Sequence, residues 1–228
     1  MIKISGLQKL SLLDYPGCVS AIIFTQGCNY KCKFCQNSEF INTSCGTIST
    51  SEVFDYLQKR QKVLDGVVIS GGEPCMQKNL KSFIEQIKKM NLKVKLDTNG
   101  TNPEMLKELI ENNLIDYIAM DIKTIFEEYE KIVCSNALID NIQKSIKLIQ
   151  NSNIEHEFRT TIMKEYHSID TLKKICKEIG AKEKYYIQNF QNSENVIDQS
   201  LTPFTEDELI KIQKELNKNF PNVKVRGI

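Results

Sequence analysis

At 228 residues, 41% of them hydrophobic and 26% charged, the chain has the composition of a globular protein, and it lacks the run of about 18 apolar residues that a membrane span requires. Thirty Lys and Arg against 29 Asp and Glu leave a net charge of +1, spread over mixed-sign stretches such as 81–89, which excludes the basic face of a transfer RNA or DNA binder. Eight cysteines without an N-terminal signal pattern exclude a stapled secreted scaffold, so the expectation is a cytoplasmic protein whose thiols are reduced or bound to metal.

Residues 1–17 read as an N-terminal leader. From residue 19 onward, short β-branched runs alternate with amphipathic stretches. Strands are expected at 19–25, 66–70, 93–97, 117–122, 157–162 and 185–189, with a short terminal strand at 223–226. Helices are expected at 51–62, 79–90, 103–112, 137–151, 168–179 and 205–219. Several starts carry cap signals: Ser49 three residues before Glu52, Asn102 before Pro103, and Thr205 three before Glu208. The polar stretch 189–203 reads as a loop. Six β-then-α units imply an α/β fold with parallel strands and right-handed crossovers, either doubly wound or a curved, incomplete barrel. One domain over 1–228 is expected, with the repeating units in 19–189 and a C-terminal loop, helix and strand in 190–228.

The polar motifs fall at the ends of these strands, where parallel α/β folds place their chemistry. Cys28, Cys32 and Cys35 follow the first strand as C-x-x-x-C-x-x-C, on a loop opened by Gly27. Gly71-Gly72-Glu73-Pro74 follows the second, Asp97-Thr98-Asn99-Gly100 closes the third, and Asp121 and Lys123 close the fourth. Three thiolates suit a 4Fe-4S cluster that keeps one iron open. Structural zinc wants four ligands, commonly as two close pairs, and Cys18, Cys45, Cys75, Cys134 and Cys176 are scattered. The chain has no P-loop, dinucleotide fingerprint, nucleophile elbow or H-E-x-x-H.

On these residues the chain resembles the radical S-adenosylmethionine (SAM) superfamily, with Phe34 as the aromatic residue before the third cysteine and Gly71-Gly72-Glu73-Pro74 as the second signature. It is most similar to the branch that activates glycyl radical enzymes, including activators of anaerobic ribonucleotide reductase. Asp14-Tyr15-Pro16-Gly17, Phe24-Thr25-Gln26-Gly27-Cys28, Asp97-Thr98-Asn99-Gly100 and Asp121-Ile122-Lys123 carry that likeness.

The resemblance implies an incomplete (βα)6 radical SAM barrel. It implies that Cys28, Cys32 and Cys35 hold the cluster, which cleaves SAM reductively to methionine and a 5'-deoxyadenosyl radical. Gly71, Gly72, Glu73 and Pro74 would meet the SAM amino group. Asp97, Thr98 and Asp121 would hold a sodium or potassium ion, with Asn99 beside them and Lys123 and Arg159 near the SAM carboxylate or ribose. A flavodoxin- or ferredoxin-type protein would supply the electron.

This chain departs from the family pattern at a few places. Gln36 stands where a His usually follows the third cysteine, and Gln188-Asn189-Phe190 where some activators direct a His at SAM. Cys75 after the Gly-Gly-Glu-Pro motif is unexpected. His156 and His167 lack ligand-like spacing and read as structural or surface residues. Two targets are therefore expected: the glycine of a partner glycyl radical enzyme, or a small molecule such as a queuosine-type deazapurine nucleoside that a lyase would split to free queuine. The amides of Gln36, Gln188 and Asn189 suit the edge of a base.

Overall fold

The computed structural model describes residues 2–41 and 48–226, so Cys45 lies outside the described residues. Its elements in chain order are β1 (Ile4–Ser11), β2 (Ser20–Thr25), α1 (Thr50–Arg60), β3 (Gly66–Gly71), α2 (Leu80–Lys88), β4 (Lys93–Thr98), α3 (Pro103–Glu111) and β5 (Tyr117–Asp121). They continue with α4 (Tyr129–Val133), α5 (Ile139–Gln150), β6 (Glu155–Ile162), α6 (Ile169–Ile179), β7 (Tyr185–Asn189), α7 (Glu206–Leu216) and β8 (Val223–Arg226). The chain is α/β with mostly parallel strands, as expected. Among the described residues no helix is long and apolar enough to cross a membrane.

The cap signals work as read. Ser49 accepts from the Glu52 amide, Asn102 from that of Met105, and Thr205 and Glu208 form a reciprocal capping box, so exposed amides at each helix start are satisfied. In α2 the buried residues are Leu80, Phe83, Ile84 and Ile87, the i, i+3, i+4, i+7 stripe that turns one helix face inward.

By their contacts the residues form two compact units. The first comprises Met1–Asn29, Glu39–Ala119 and Asp140–Glu155. Its strand order is β1-β2-β3-β4, with β2, β3 and β4 parallel in register through Ala21, Val67 and Val94. β1, from the stretch read as a leader, runs antiparallel along β2 with Gly6 opposite Phe24 and Ser11 opposite Ser20. A Cβ at Gly6 would sit 3.2 Å from the Phe24 ring, a close approach that glycine relieves. Tyr15, Ile22, Val68 and Tyr117 pack as an apolar cluster within this unit, joined by Cys18 and Phe24.

The second unit comprises Tyr30–Ser38, Met120–Ile139 and His156–Ile228, with parallel strands in the order β6-β7-β8. Thr160, Ile187 and Val225 lie in register across it. The stretch 190–203 contributes no strand or helix, yet Phe190, Val196 and Leu201 are buried, so it packs as a fixed strap.

Candidate active site

In the first unit the loops after β2 and β3 meet backbone to backbone. Gly72 N donates to Thr25 O at 2.9 Å and Glu73 N to Gly27 O at 2.8 Å. A Cβ on Gly72 would lie 2.1 Å from Gly27 O, and one on Gly71, where φ is +107°, would lie 2.4 Å from Thr25 N. The Gly-Gly pair is thus fixed by steric necessity.

Glu73 turns inward and is 1% exposed. Its carboxylate accepts from Asn99 N at 2.6 Å, Thr98 Oγ1 at 2.7 Å and Cys75 N at 3.0 Å. Burial pushes its pKa up, and the hydrogen bonds from Asn99, Thr98 and Cys75 pull it part of the way back. The family resemblance implies this carboxylate at the SAM amino group, and the fold uses it to tie residues 71–75 to the turn after β4.

Cys28 is held from both sides within the same unit. Gly27 is anchored by Glu73 N, while Asn29 accepts from Asn99 Nδ2 at 2.9 Å and donates from Nδ2 to Thr101 Oγ1 at 3.0 Å. The first cysteine therefore inherits its position from both of the following motifs. Asn29 and Thr101 were not singled out from the sequence; an Asn beside the first cysteine was the available signal.

Asp97 Oδ1 binds the ammonium of Lys95, and its Oδ2 accepts from Ser70 Oγ at 3.0 Å. Lys95 was also missed, although its spacing of two residues from Asp97 puts both side chains on one face of β4. Cys75 is buried, 3.6 Å from Thr98 Oγ1, and burial drives its thiol well above the usual range.

In the second unit the rest of the cysteine loop lies between α4 and the strap. Lys31 N and Lys33 N donate to Val133 O and Ile132 O at 2.9 and 3.1 Å. From the other side, Asp198 N donates to Lys33 O at 2.9 Å, Gln36 Nε2 to Gln191 O at 2.9 Å, and Ser38 Oγ to Asn195 O. Cys32 is buried and Cys35 half-buried, and neither is in a disulfide. Burial raises the Cys35 thiol, opposed by the Asn37 backbone and by Lys123.

The end of β5 carries the charges. Arg159 Nε and Lys123 Nζ donate to the two oxygens of Asp121 at 2.8 and 3.1 Å. Burial alone would raise this carboxyl, but the two cations outweigh it and hold it at about 2. The same Lys123 Nζ sits 5.7 Å from the centre of the Phe34 ring, a cation–π distance. Its backbone is clamped by Tyr129 Oη, which accepts from Lys123 N at 3.0 Å, and by His167 Nε2, 3.0 Å from Lys123 O. His167 Nδ1 accepts from Met163 N, so Nε2 carries the proton and donates to Lys123 O. Burial lowers the His167 pKa, in keeping with a neutral, structural ring.

Of the amides expected at a base edge, two serve the fold. Gln36 holds the strap, and Asn189 makes paired bonds with the Phe204 backbone, at 2.8 and 3.0 Å. Gln188, half-buried, is in register with Thr161 and Arg226 on the flanking strands. Arg226, missed in the sequence, binds the fully buried Glu157 through both terminal nitrogens at 2.8 Å and stacks 3.7 Å from the Tyr186 ring centre. His156 pairs with Glu183.

The chain belongs to the radical SAM superfamily, whose sequence pattern it matches over residues 22–179. The family implies a 4Fe-4S cluster and SAM. The chain is 36% identical to a putative glycyl-radical enzyme activating enzyme of Methanocaldococcus jannaschii, over 99% of this chain and 96% of that protein. It is 30% identical to the pyruvate formate-lyase-activating enzyme of Listeria monocytogenes over 66% of this chain, spanning 59% of the relative's length. It is 28% identical to the 7-carboxy-7-deazaguanine synthase of Bacillus subtilis, over 64% of this chain and 63% of that one. A radical SAM methyltransferase from Sphaerobacter thermophilus shares the fold, with a TM-score of 0.75 at 12% identity over 95% of this chain and 68% of that one.

The residues fit the cofactors. Cys28, Cys32 and Cys35 are outside any disulfide and lie on one stretch of chain, with backbone hydrogen bonds at Gly27, Lys31 and Lys33. The partial burial that disfavours the Cys35 thiolate is offset when a thiolate binds iron.

Proposed function

We propose that this protein is an activating enzyme that takes hydrogen from a glycine α-carbon of a partner glycyl radical enzyme. The observation that carries the reading is the end-to-end likeness to the M. jannaschii relative, which spans both compact units. In this reading the two units work as one radical SAM domain in the cytoplasm, receiving electrons from a flavodoxin- or ferredoxin-type donor.

Cys28, Cys32 and Cys35 would hold the cluster. When bound, cluster and SAM supply a 5'-deoxyadenosyl radical. That chemistry would take a hydrogen atom from the partner's glycine α-carbon and leave 5'-deoxyadenosine and a glycyl radical, one unpaired electron on each side of the exchange. The backbone of Gly71, Gly72 and Pro74 would meet the SAM amino group, with Glu73 fixing that loop against Thr98 and Asn99. Phe34, Lys123 and Arg159 would order the carboxylate and ribose end, because Asp121 aligns both cations. A radical of this reactivity attacks any C–H in reach, so the strap 190–203 on the cysteine loop would serve to exclude water and stray partners.

A second reading is favoured by the likeness to a 7-carboxy-7-deazaguanine synthase: direct radical chemistry on a deazapurine or its nucleoside, with Gln188 facing the base. One experiment separates the two. Anaerobic protein with SAM and reductant is incubated with candidate glycyl radical enzymes or with deazapurine nucleosides. A glycyl doublet by electron paramagnetic resonance, with deuterium passing from α-deuterated glycine into 5'-deoxyadenosine, is the expected result. Release of a free base with no glycyl signal would replace the first reading by the second.

A further inference from the structure

We infer that Lys95 stands in the place of a monovalent cation at Asp97, so that SAM binding here is independent of sodium and potassium. The inference rests on the SAM reading above and concerns only residues of the first unit. Lys95 is two residues before Asp97 on β4, which puts both side chains on the same face. Its side chain is 2% exposed, so the ammonium has no access to water and takes its compensation from the Asp97 carboxylate. Ser70 Oγ occupies the other Asp97 oxygen at 3.0 Å.

The second oxygen that the family likeness would offer a cation is Thr98 Oγ1. It donates to Glu73 at 2.7 Å and accepts from Gly100 N at 3.1 Å. A sodium or potassium ion at this spot would crowd a hydroxyl that already has these two partners and would face the Lys95 ammonium across one carboxylate, where like charges in a poorly solvated site repel strongly. The ammonium already supplies the positive charge, and its attachment to the chain gives it an effective concentration that no buffer ion matches. Asp97 keeps 16% of its side chain exposed, so the neutralised carboxylate still borders accessible space.

The test uses cluster-reconstituted protein in sodium, potassium or choline chloride at equal ionic strength, read by anaerobic SAM binding and by thermal melting without SAM. Wild type is expected to bind SAM and to melt alike in all three salts. Lys95→Met frees Asp97 to recruit an ion, so its melting temperature should rise in sodium or potassium over choline. Its SAM affinity in choline should fall roughly tenfold or more, the scale of one charge-assisted hydrogen bond. The double variant Lys95→Met, Asp97→Asn should lose the salt response again. A wild-type SAM affinity that collapses in choline overturns the inference without recourse to any variant, and so does a folded Lys95→Met protein that ignores the salt. Wild type that binds no SAM in any salt overturns the SAM reading itself, and the melting series then still shows whether Lys95 holds an ion's place.

Discussion

Arg159 Nε lies 2.8 Å from Asp121 Oδ1, and this bond turns the end of β5 from a chain terminus of the strand into an oriented charge cluster. Asp121 shares its other oxygen with Lys123, whose ammonium also faces Phe34, so one carboxylate aligns two cations and the aromatic residue of the cysteine motif.

Asp121 is therefore expected to stabilise the fold in a pH-dependent way. Its carboxyl is held at about 2, below the usual carboxylate range of about 4, so its contribution is present above pH 4 and fades as pH falls toward 2. Asp121→Asn should cost on the order of 2 kcal/mol at neutral pH, with the gap closing in acid. Urea midpoints of the cluster-free proteins from pH 7 down to pH 2 check this; a pH-independent gap would contradict it.

The cysteine assignment is tested by anaerobic reconstitution. Alanine at Cys28, Cys32 or Cys35 should abolish bound iron and sulfide, whereas alanine at Cys18, Cys75, Cys134 or Cys176 should retain both. Cys75 and Cys176 are buried, so their variants are read after confirming a native circular dichroism spectrum. Iron retained by Cys32→Ala would remove the cluster from this loop.

Gly72→Ala puts a methyl group 2.1 Å from the Gly27 carbonyl oxygen. Both partners are backbone, so neither yields cheaply, and a loss of about 2 to 4 kcal/mol is expected. Because Gly27 precedes the first cysteine, the same change should lower iron incorporation even where the protein stays folded. Calorimetry and iron content together check the pair of effects; wild-type values of both would show that the loops do not meet as described.

Gln36 is expected to hold the strap. Gln36→Ala removes the bond to Gln191 O, and amides in 191–198 should exchange with deuterium roughly fivefold to tenfold faster, the scale of one hydrogen bond. Exchange unchanged in that segment, measured by mass spectrometry, would assign the strap's order to Phe190, Val196 and Leu201 alone.

The family was legible in the sequence because its chemistry is set by local spacing. Three thiols at fixed intervals, a Gly-Gly pair and carboxylates at successive strand ends are covalent facts about the chain. The parallel strands and most helices were legible too, through β-branched runs, apolar periodicity and caps at Ser49, Asn102 and Thr205. β1 was not, because Ile4–Ser11 buries only its ends and shows no alternation.

What the tertiary structure decided is which partner each polar group takes. Glu73 faces Thr98 and Asn99, residues 25 and 26 positions away, and so joins two loops. Asp97 pairs with the chain's own Lys95, and Asp121 with Lys123 and Arg159, at the two carboxylates where the family resemblance implied a metal cation. Gln36 and Asn189 spend their amides on the strap and on Phe204, and His167 holds the Lys123 backbone. The physical reason is common to all of these. A motif fixes which groups are present, but a buried polar group is stable only when satisfied, and its partner arrives through long-range packing that no local pattern encodes.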